Sequence, residues 1–293
     1  MTRSGFVALA GRPNVGKSTF VNAVVGEKVA IVSDRPQTTR RAIRGVHQSG
    51  ESQIVLVDLP GVQRPRDALT SRMAKRVQQE LEGSDAALLM LNGEQGVGPG
   101  DRFIARTLID ARVPVTIAVN KVDRLARGPL AAVLTQAAEL DPAAEVFPIS
   151  ARRGTGLAAL VEHLAAAMPE GPLMFGPGAA SDQSREVLFA ELIREAVIRR
   201  TFQEIPHAVE VVIEDIEPLR ADLTRVRALI WVESESQKAI IIGAHGRMIK
   251  AIGTAARREL QRVLGHQVHL DLSVRVRRDW RGDEGLLDRL GIT

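Results

Sequence analysis

The chain contains no cysteine and no tyrosine, and its aromatic complement is seven Phe and two Trp in 293 residues. The first absence excludes disulfides, thiolate metal centres and thiol catalysis, and favours a reducing compartment. The scarcity of aromatics argues against RNA recognition by rows of stacking rings, so nucleic-acid contacts would rest on backbone groups and cations. No apolar run reaches the ~18 residues of a membrane span. The opening Met1-Thr2-Arg3-Ser4-Gly5 leads into a short strand pattern instead of a secretory leader, so a cytoplasmic protein is expected. Net charge is also small, +4 from 39 Lys/Arg against 35 Asp/Glu.

What is present is an ordinary globular composition, 45% hydrophobic and 25% charged, at a length suited to two domains. Residues 6–168 alternate short β-rich runs with helical stretches, which predicts an α/β domain with a mixed, mostly parallel six-stranded sheet. Strands are expected at 6–10, 44–47, 53–58, 86–91, 113–119 and 145–148, and helices at 17–25, 69–82, 101–111, 130–140 and 156–167. Strands two and three are joined through Ser49, Gly50 and Glu51, too short a link for a parallel crossover, so that pair is expected to be antiparallel. Residues 169–184, PEGPLMFGPGAASDQS, sustain neither periodicity and read as a linker between a domain at 1–168 and a smaller α+β domain at 185–293. The latter reads as a helix at 184–202, strands at 208–214 and 225–233, helices at 236–242 and 246–264, and a strand at 267–277.

Gly11-Arg12-Pro13-Asn14-Val15-Gly16-Lys17-Ser18, followed by Thr19, matches G-x-x-x-x-G-K-S between an expected strand and an expected helix. Its glycines let the loop close around phosphates, its N–H groups and the helix N-terminus favour an anion, Lys17 adds a point charge, and the Ser18 hydroxyl suits Mg2+. Asp58-Leu59-Pro60-Gly61 ends a strand at the carboxyl edge of the sheet, where Asp58 is a candidate for Mg2+, through water, and Gly61 for γ-phosphate sensing. Asn120-Lys121-Val122-Asp123 separates guanine from adenine, because Asp123 can accept from the N1–H and exocyclic amine of guanine together. Ser150-Ala151-Arg152 offers a backbone N–H to the guanine carbonyl.

With these motifs in this order the chain resembles the translation-factor-like GTPases, and specifically the Era branch of bacterial ribosome-assembly GTPases within the TrmE-Era-EngA-like family. GRPNVGKSTF, QTTRR, DLPG, NKVD and SAR carry the likeness in the first domain; IIIGAHGRMIKAIGTAARREL and VRRDW carry it in the second. The resemblance implies GTP hydrolysis, binding of 16S ribosomal RNA near its 3′ end, and a role in 30S subunit assembly. It implies that Thr39, of the pair Thr38-Thr39, contacts Mg2+ and the γ-phosphate. It also implies that Asn14 helps hold a K+ ion replacing an arginine finger, since Val62 stands where other GTPases carry a water-orienting glutamine. Arg12, Arg40 and Arg41 are near the phosphates in sequence, although loop arginines are usually solvated.

The element order around Gly243-Ala244-His245-Gly246 is that of a type II KH module, whose G-x-x-G loop clamps about four nucleotides. Arg247, Lys250 and Arg277 are the accompanying cations. Ala244 and His245 stand where similar proteins commonly carry a loop lysine, and His245 is near neutral at pH 7. Charge is polarised: residues 238–281 hold ten Lys/Arg against three Asp/Glu, whereas residues 182–237 hold seven against twelve. The expectation is therefore a monomeric, Mg2+-dependent GTPase with K+ activation, bound to the 30S subunit, with peripheral contact to the inner face of the cell membrane implied by resemblance alone. A passive nucleotide-stabilised RNA-binding adaptor and a P-loop kinase or ATPase are the alternatives; NKVD speaks against the latter.

Overall fold

A computed structural model describes residues 2–33, 35, 38–61 and 67–292. In chain order the first elements are β1 (Arg3–Ala10), α1 (Lys17–Val25), β2 (Ile43–Ser49), β3 (Ser52–Asp58), α2 (Ala68–Glu82), β4 (Ala86–Asn92), α3 (Pro99–Asp110), β5 (Val115–Asn120), α4 (Arg127–Ala138), β6 (Val146–Pro148) and α5 (Leu157–Ala167). The strands form one sheet in the order β2-β3-β1-β4-β5-β6. All neighbours are parallel except the β2–β3 hairpin. β4, AALLMLN, is buried along its whole length because helices cover both faces of a parallel sheet, so it reads as an unbroken apolar run. Val7, Leu9, Leu56 and Leu88 pack toward α1 and α5 on one face; Ala8, Val57, Leu89 and Val119 pack in a second cluster with Ile104 and Leu108 of α3.

Residues 169–182 are irregular, as their Pro and Gly content requires, yet they are strapped to this unit. Ser4 N–H donates to the Pro169 carbonyl and Gly171 N–H to that of Thr2, both at 3.1 Å, and Val46 N–H donates to the Ala180 carbonyl at 2.9 Å.

The remaining elements are α6 (Arg185–Ile198), α7 (Ile205–Ala208), β7 (Glu210–Arg220), β8 (Leu223–Val232), α8 (Glu235–Ile242), α9 (Arg247–Leu264), β9 (Gln267–Val276) and α10 (Glu284–Arg289). The sheet runs β7-β8-β9, antiparallel then parallel. Its core joins Leu192, Ile193 and Val197 of α6, Ile252, Ala256 and Leu260 of α9, and Val226, Ala228 and Ile230 of β8. Trp280 is fully buried with its indole N–H on the Ala208 carbonyl at 2.9 Å, which satisfies the one polar atom this large side chain brings inside.

Contacts divide the chain into Met1–Ala30, Thr39–Arg66 and Thr70–Asp182 on one side, and Ile31–Thr38, Asp67–Leu69 and Gln183–Thr293 on the other. The grouping of 31–38 with the second unit is a feature that no local pattern announces. Ile31 is part of that unit's core, Glu195 accepts the Val32 N–H at 3.1 Å, and Arg194 donates to the Thr38 carbonyl.

Candidate nucleotide site and nucleic-acid loop

β1 delivers the chain into the Gly11–Ser18 loop, and α1 opens at Lys17 behind Gly16, which has φ 107°. A Cβ on Gly16 would lie 2.3 Å from Asn120 Nδ2, so only glycine lets the loop and the end of β5 meet. Asn120 in turn donates to the Val15 carbonyl at 2.8 Å and accepts N–H bonds from Lys121 at 2.8 Å and Ala151 at 3.0 Å. One buried side chain thus ties the phosphate loop to both loops expected to read the base.

Lys17 is buried, and its ammonium donates to the carbonyls of Gly11 at 3.2 Å and Arg12 at 3.4 Å. Burial pushes its pKa down, opposed by the charge of Asp58. Asp58, wholly buried at the end of β3, is pushed up by burial and held back by Lys17 and by the hydroxyls of Ser18 and Thr39. Its Oδ2 accepts from Ser18 at 2.6 Å and Thr39 at 3.3 Å, while Oδ1 is buried and bonded to nothing among the described residues. Two hydroxyls and a carboxylate with an unpartnered oxygen are the hard donor set that Mg2+ prefers. Among the described residues no cluster of three or more His, Cys, Asp or Glu offers a different metal site.

Thr39 and not Thr38 reaches this cluster, since the Thr38 hydroxyl donates to the Arg35 carbonyl at 2.6 Å. Gly61 approaches the loop closely: a Cβ there would lie 3.0 Å from Pro13 Cγ. The Arg12 side chain is drawn to Asp101 of α3, Nε to Oδ1 at 2.9 Å, and its carbonyl accepts from Lys17. Arg40 departs from the solvated state expected of a loop arginine, being 1% exposed. Asn14 is an exposed residue in the loop at φ 64°, and Val62 lies outside the described residues.

At the base side, Asp123 lies in a short 3-10 turn after β5. Ser150 donates to its Oδ1 at 2.7 Å, and Arg153 lies 3.5 Å from Oδ2. The Ser150 bond is the main cause that holds the Asp123 carboxyl below its ordinary range, keeping it an ionised acceptor. The Ala151 N–H is engaged by Asn120, whereas that of Arg152 bonds nothing among the described residues, so the two amides differ in what they can offer a carbonyl.

In the second unit α8 ends at Gly243, φ 71°, where a Cβ would lie 2.7 Å from Met248 Cβ. Ala244–Gly246 form a 3-10 turn with His245 at φ 53°, and α9 starts at Arg247. His245, Arg247 and Lys250 stand around this turn, and Arg277 is exposed beyond the end of β9.

Sequence reasoning missed the polar grip on α6. Glu191 and Arg194 form a buried pair at 2.5 Å, and Glu195 accepts from both Val32 N–H and Arg199. The available signal was three charges in a helix buried from Phe189 to Ile198.

A doubly covered sheet with a G-x-x-x-x-G-K-S loop, a buried Asp58 beside it and the Asn120–Asp123 tetrapeptide at the end of β5 defines a P-loop GTPase, here joined to a KH fold. The family models agree: that of the 50S ribosome-binding GTPase matches residues 6–121 and that of the KH domain residues 204–281. The chain is 44% identical to GTPase Era of Mycobacterium tuberculosis over 294 residues, covering 98% of each protein. It is 42% identical to GTPase Era of Carboxydothermus hydrogenoformans over 292 residues, 99% of this chain and 98% of the relative. Two solved structures match over 100% of each chain: a point variant of Aquifex aeolicus Era bound to GDP·AlF4−, and Era in complex with MgGDPNP and nucleotides 1506–1542 of 16S ribosomal RNA. Their TM-scores are 0.95 and 0.96, each at 34% identity. The chain belongs to the Era family of GTPases.

Proposed function

We propose that this chain binds GTP with Mg2+, hydrolyses it to GDP and phosphate, and binds small-subunit ribosomal RNA near its 3′ end during assembly of the 30S subunit. The observation that carries the nucleotide reading is the Asn120 side chain, which joins the phosphate loop to the Asp123 and Ser150 side of the site. Asp123 accepts from the two guanine donors that adenine lacks. Lys17 and the loop N–H groups hold the β- and γ-phosphates. Ser18, Thr39 and, through water, Asp58 hold Mg2+, whose contribution is to neutralise charge on the phosphate oxygens. Asn14 supplies an amide oxygen for K+ at the mouth of the loop. The G-x-x-G turn clamps RNA backbone. The Era structures with GDP·AlF4− and with 16S nucleotides support both halves of this reading.

Phosphate release from GTP and from ATP, in KCl or NaCl and with or without 30S subunits, tests it. Release from GTP alone, faster in KCl and faster with subunits, is expected. Equal use of ATP removes the base assignment, and equal rates in the two salts remove K+. Absence of release under every condition leaves the passive adaptor.

A further inference from the structure

We propose that the groove between the C-terminal end of α6 and the outer face of α9 is a second phosphate-backbone site, which receives the RNA strand as it leaves the Gly243–Gly246 turn. The proposal rests on the RNA reading above and adds a separate set of residues to it. The groove is a cavity of about 390 Å3 walled by Arg200, Arg247, Lys250 and Arg258, with Ala251, Thr254 and Ala255 as its floor. Positions 247, 250, 254 and 258 recur at three- and four-residue intervals and therefore share one helix face, running about 16 Å along the axis. Arg247 directly follows Gly246, so this face continues from the clamp without a break.

Three features select the occupant. The first is uncompensated charge. The neighbouring carboxylates are engaged elsewhere, Glu259 with Arg262 at 2.9 Å and Glu195 with Arg199 at 2.8 Å. None of the four groove cations has a carboxylate partner among the described residues, and Arg200 and Arg247 are braced only by backbone carbonyls, those of Ala196 and Ala244. The second is the floor, whose small side chains admit a backbone closely. The third is the lack of any large apolar side chain in the lining, which disfavours both a bilayer, where such a helix would insert Trp, Phe or Leu, and a protein partner, which needs an apolar anchor. A polyanion held by charge fits all three, and counterion release would drive it.

The test uses the full chain and two RNA probes: an oligonucleotide limited to the about four nucleotides that the turn clamps, and the 16S fragment 1506–1542. In the double variant Arg200→Gln/Arg258→Gln, affinity for the long fragment should fall about tenfold or more, and the salt slope should shrink by about 0.7 for each phosphate no longer neutralised. Binding of the short probe should change less than about twofold, because only the clamp holds it. Arg258→Glu alone should act in the same direction, with GTP affinity and far-UV circular dichroism confirming the fold. Equal losses on the two RNAs, or no loss on the long one, would overturn the groove. Loss of binding to phosphatidylserine-containing vesicles with RNA affinity intact would assign it to a membrane instead. Failure of the underlying reading looks different: wild type and Gly246→Asp would then bind the long fragment equally.

Discussion

The phosphate loop of the first unit places Lys17 inside the fold, on the carbonyls of Gly11 and Arg12, whereas the turn after α8 stands on the surface with Arg247 and Lys250 beside it. Both use glycines so that backbone can approach an anion, Gly16 in one and Gly243 in the other. They differ in how charge is used. In the enclosed site burial strengthens every interaction, so one ammonium and a ring of N–H groups suffice for a small ligand of fixed shape. On the open face water and salt weaken each contact, so cations are multiplied along α9 and the ligand must be long enough to meet several.

The enclosed site should be the easier to destroy. Lys17→Ala removes the ammonium held on the Gly11 and Arg12 carbonyls, and with it the charge that opposes the burial of Asp58. Calorimetric titration should show GTP affinity falling by about 10²–10³-fold, with RNA affinity of the nucleotide-free protein unchanged. A small effect on GTP would mean that the loop N–H groups alone hold the phosphates.

Next in size is the response to salt. If the four groove cations each contact a phosphate, log affinity for single-stranded RNA should fall with a slope of about −2.8 in log salt, roughly 50-fold between 50 and 200 mM. GTP affinity should change by less than about threefold over that range, because a buried charge such as that of Lys17 is screened little. Parallel fluorescence titrations of the two ligands check this; equal salt slopes would erase the contrast between the sites.

The features readable in the sequence are those built from consecutive residues. A phosphate loop needs glycines at fixed offsets between a strand and a helix, and NKVD must follow a strand end, so Gly11–Ser18 and Asn120–Asp123 declared themselves along with the six strands around them. What stayed hidden depends on partners far apart in the chain. Arg12 bonds Asp101, Arg194 holds the carbonyl of Thr38, and the linker stretch bonds to β1 and β2 through Pro169 and Ala180. Thr39 could be separated from Thr38 only by resemblance, since two adjacent hydroxyls carry no local distinction; the bond to Asp58 supplies it. β7 was read as 208–214 but extends over Glu210–Arg220, because its outer half is exposed and acidic and carries Pro218. An edge strand tolerates that chemistry, and a central one would not.

The smallest expected effect sharpens the comparison within the first unit, where the base side is less enclosed than the phosphate side. Asp123 owes its depressed pKa chiefly to the Ser150 hydroxyl, with Arg153 and Arg124 adding charge. A carboxyl lowered in the folded state stays ionised as pH falls through the ordinary carboxylate range, so guanine retains its acceptor there and loses it only when the lowered pKa is passed. Ser150→Ala removes the largest cause and moves that loss to higher pH. At neutral pH the carboxylate remains charged, so the preference for GDP over ADP should weaken by less than about tenfold, through lost orientation of Asp123. Competition titrations at pH 7 and at stepwise lower pH separate the two parts. A preference that falls off at the same pH in wild type and variant would show that Ser150 positions Asp123 without setting its charge.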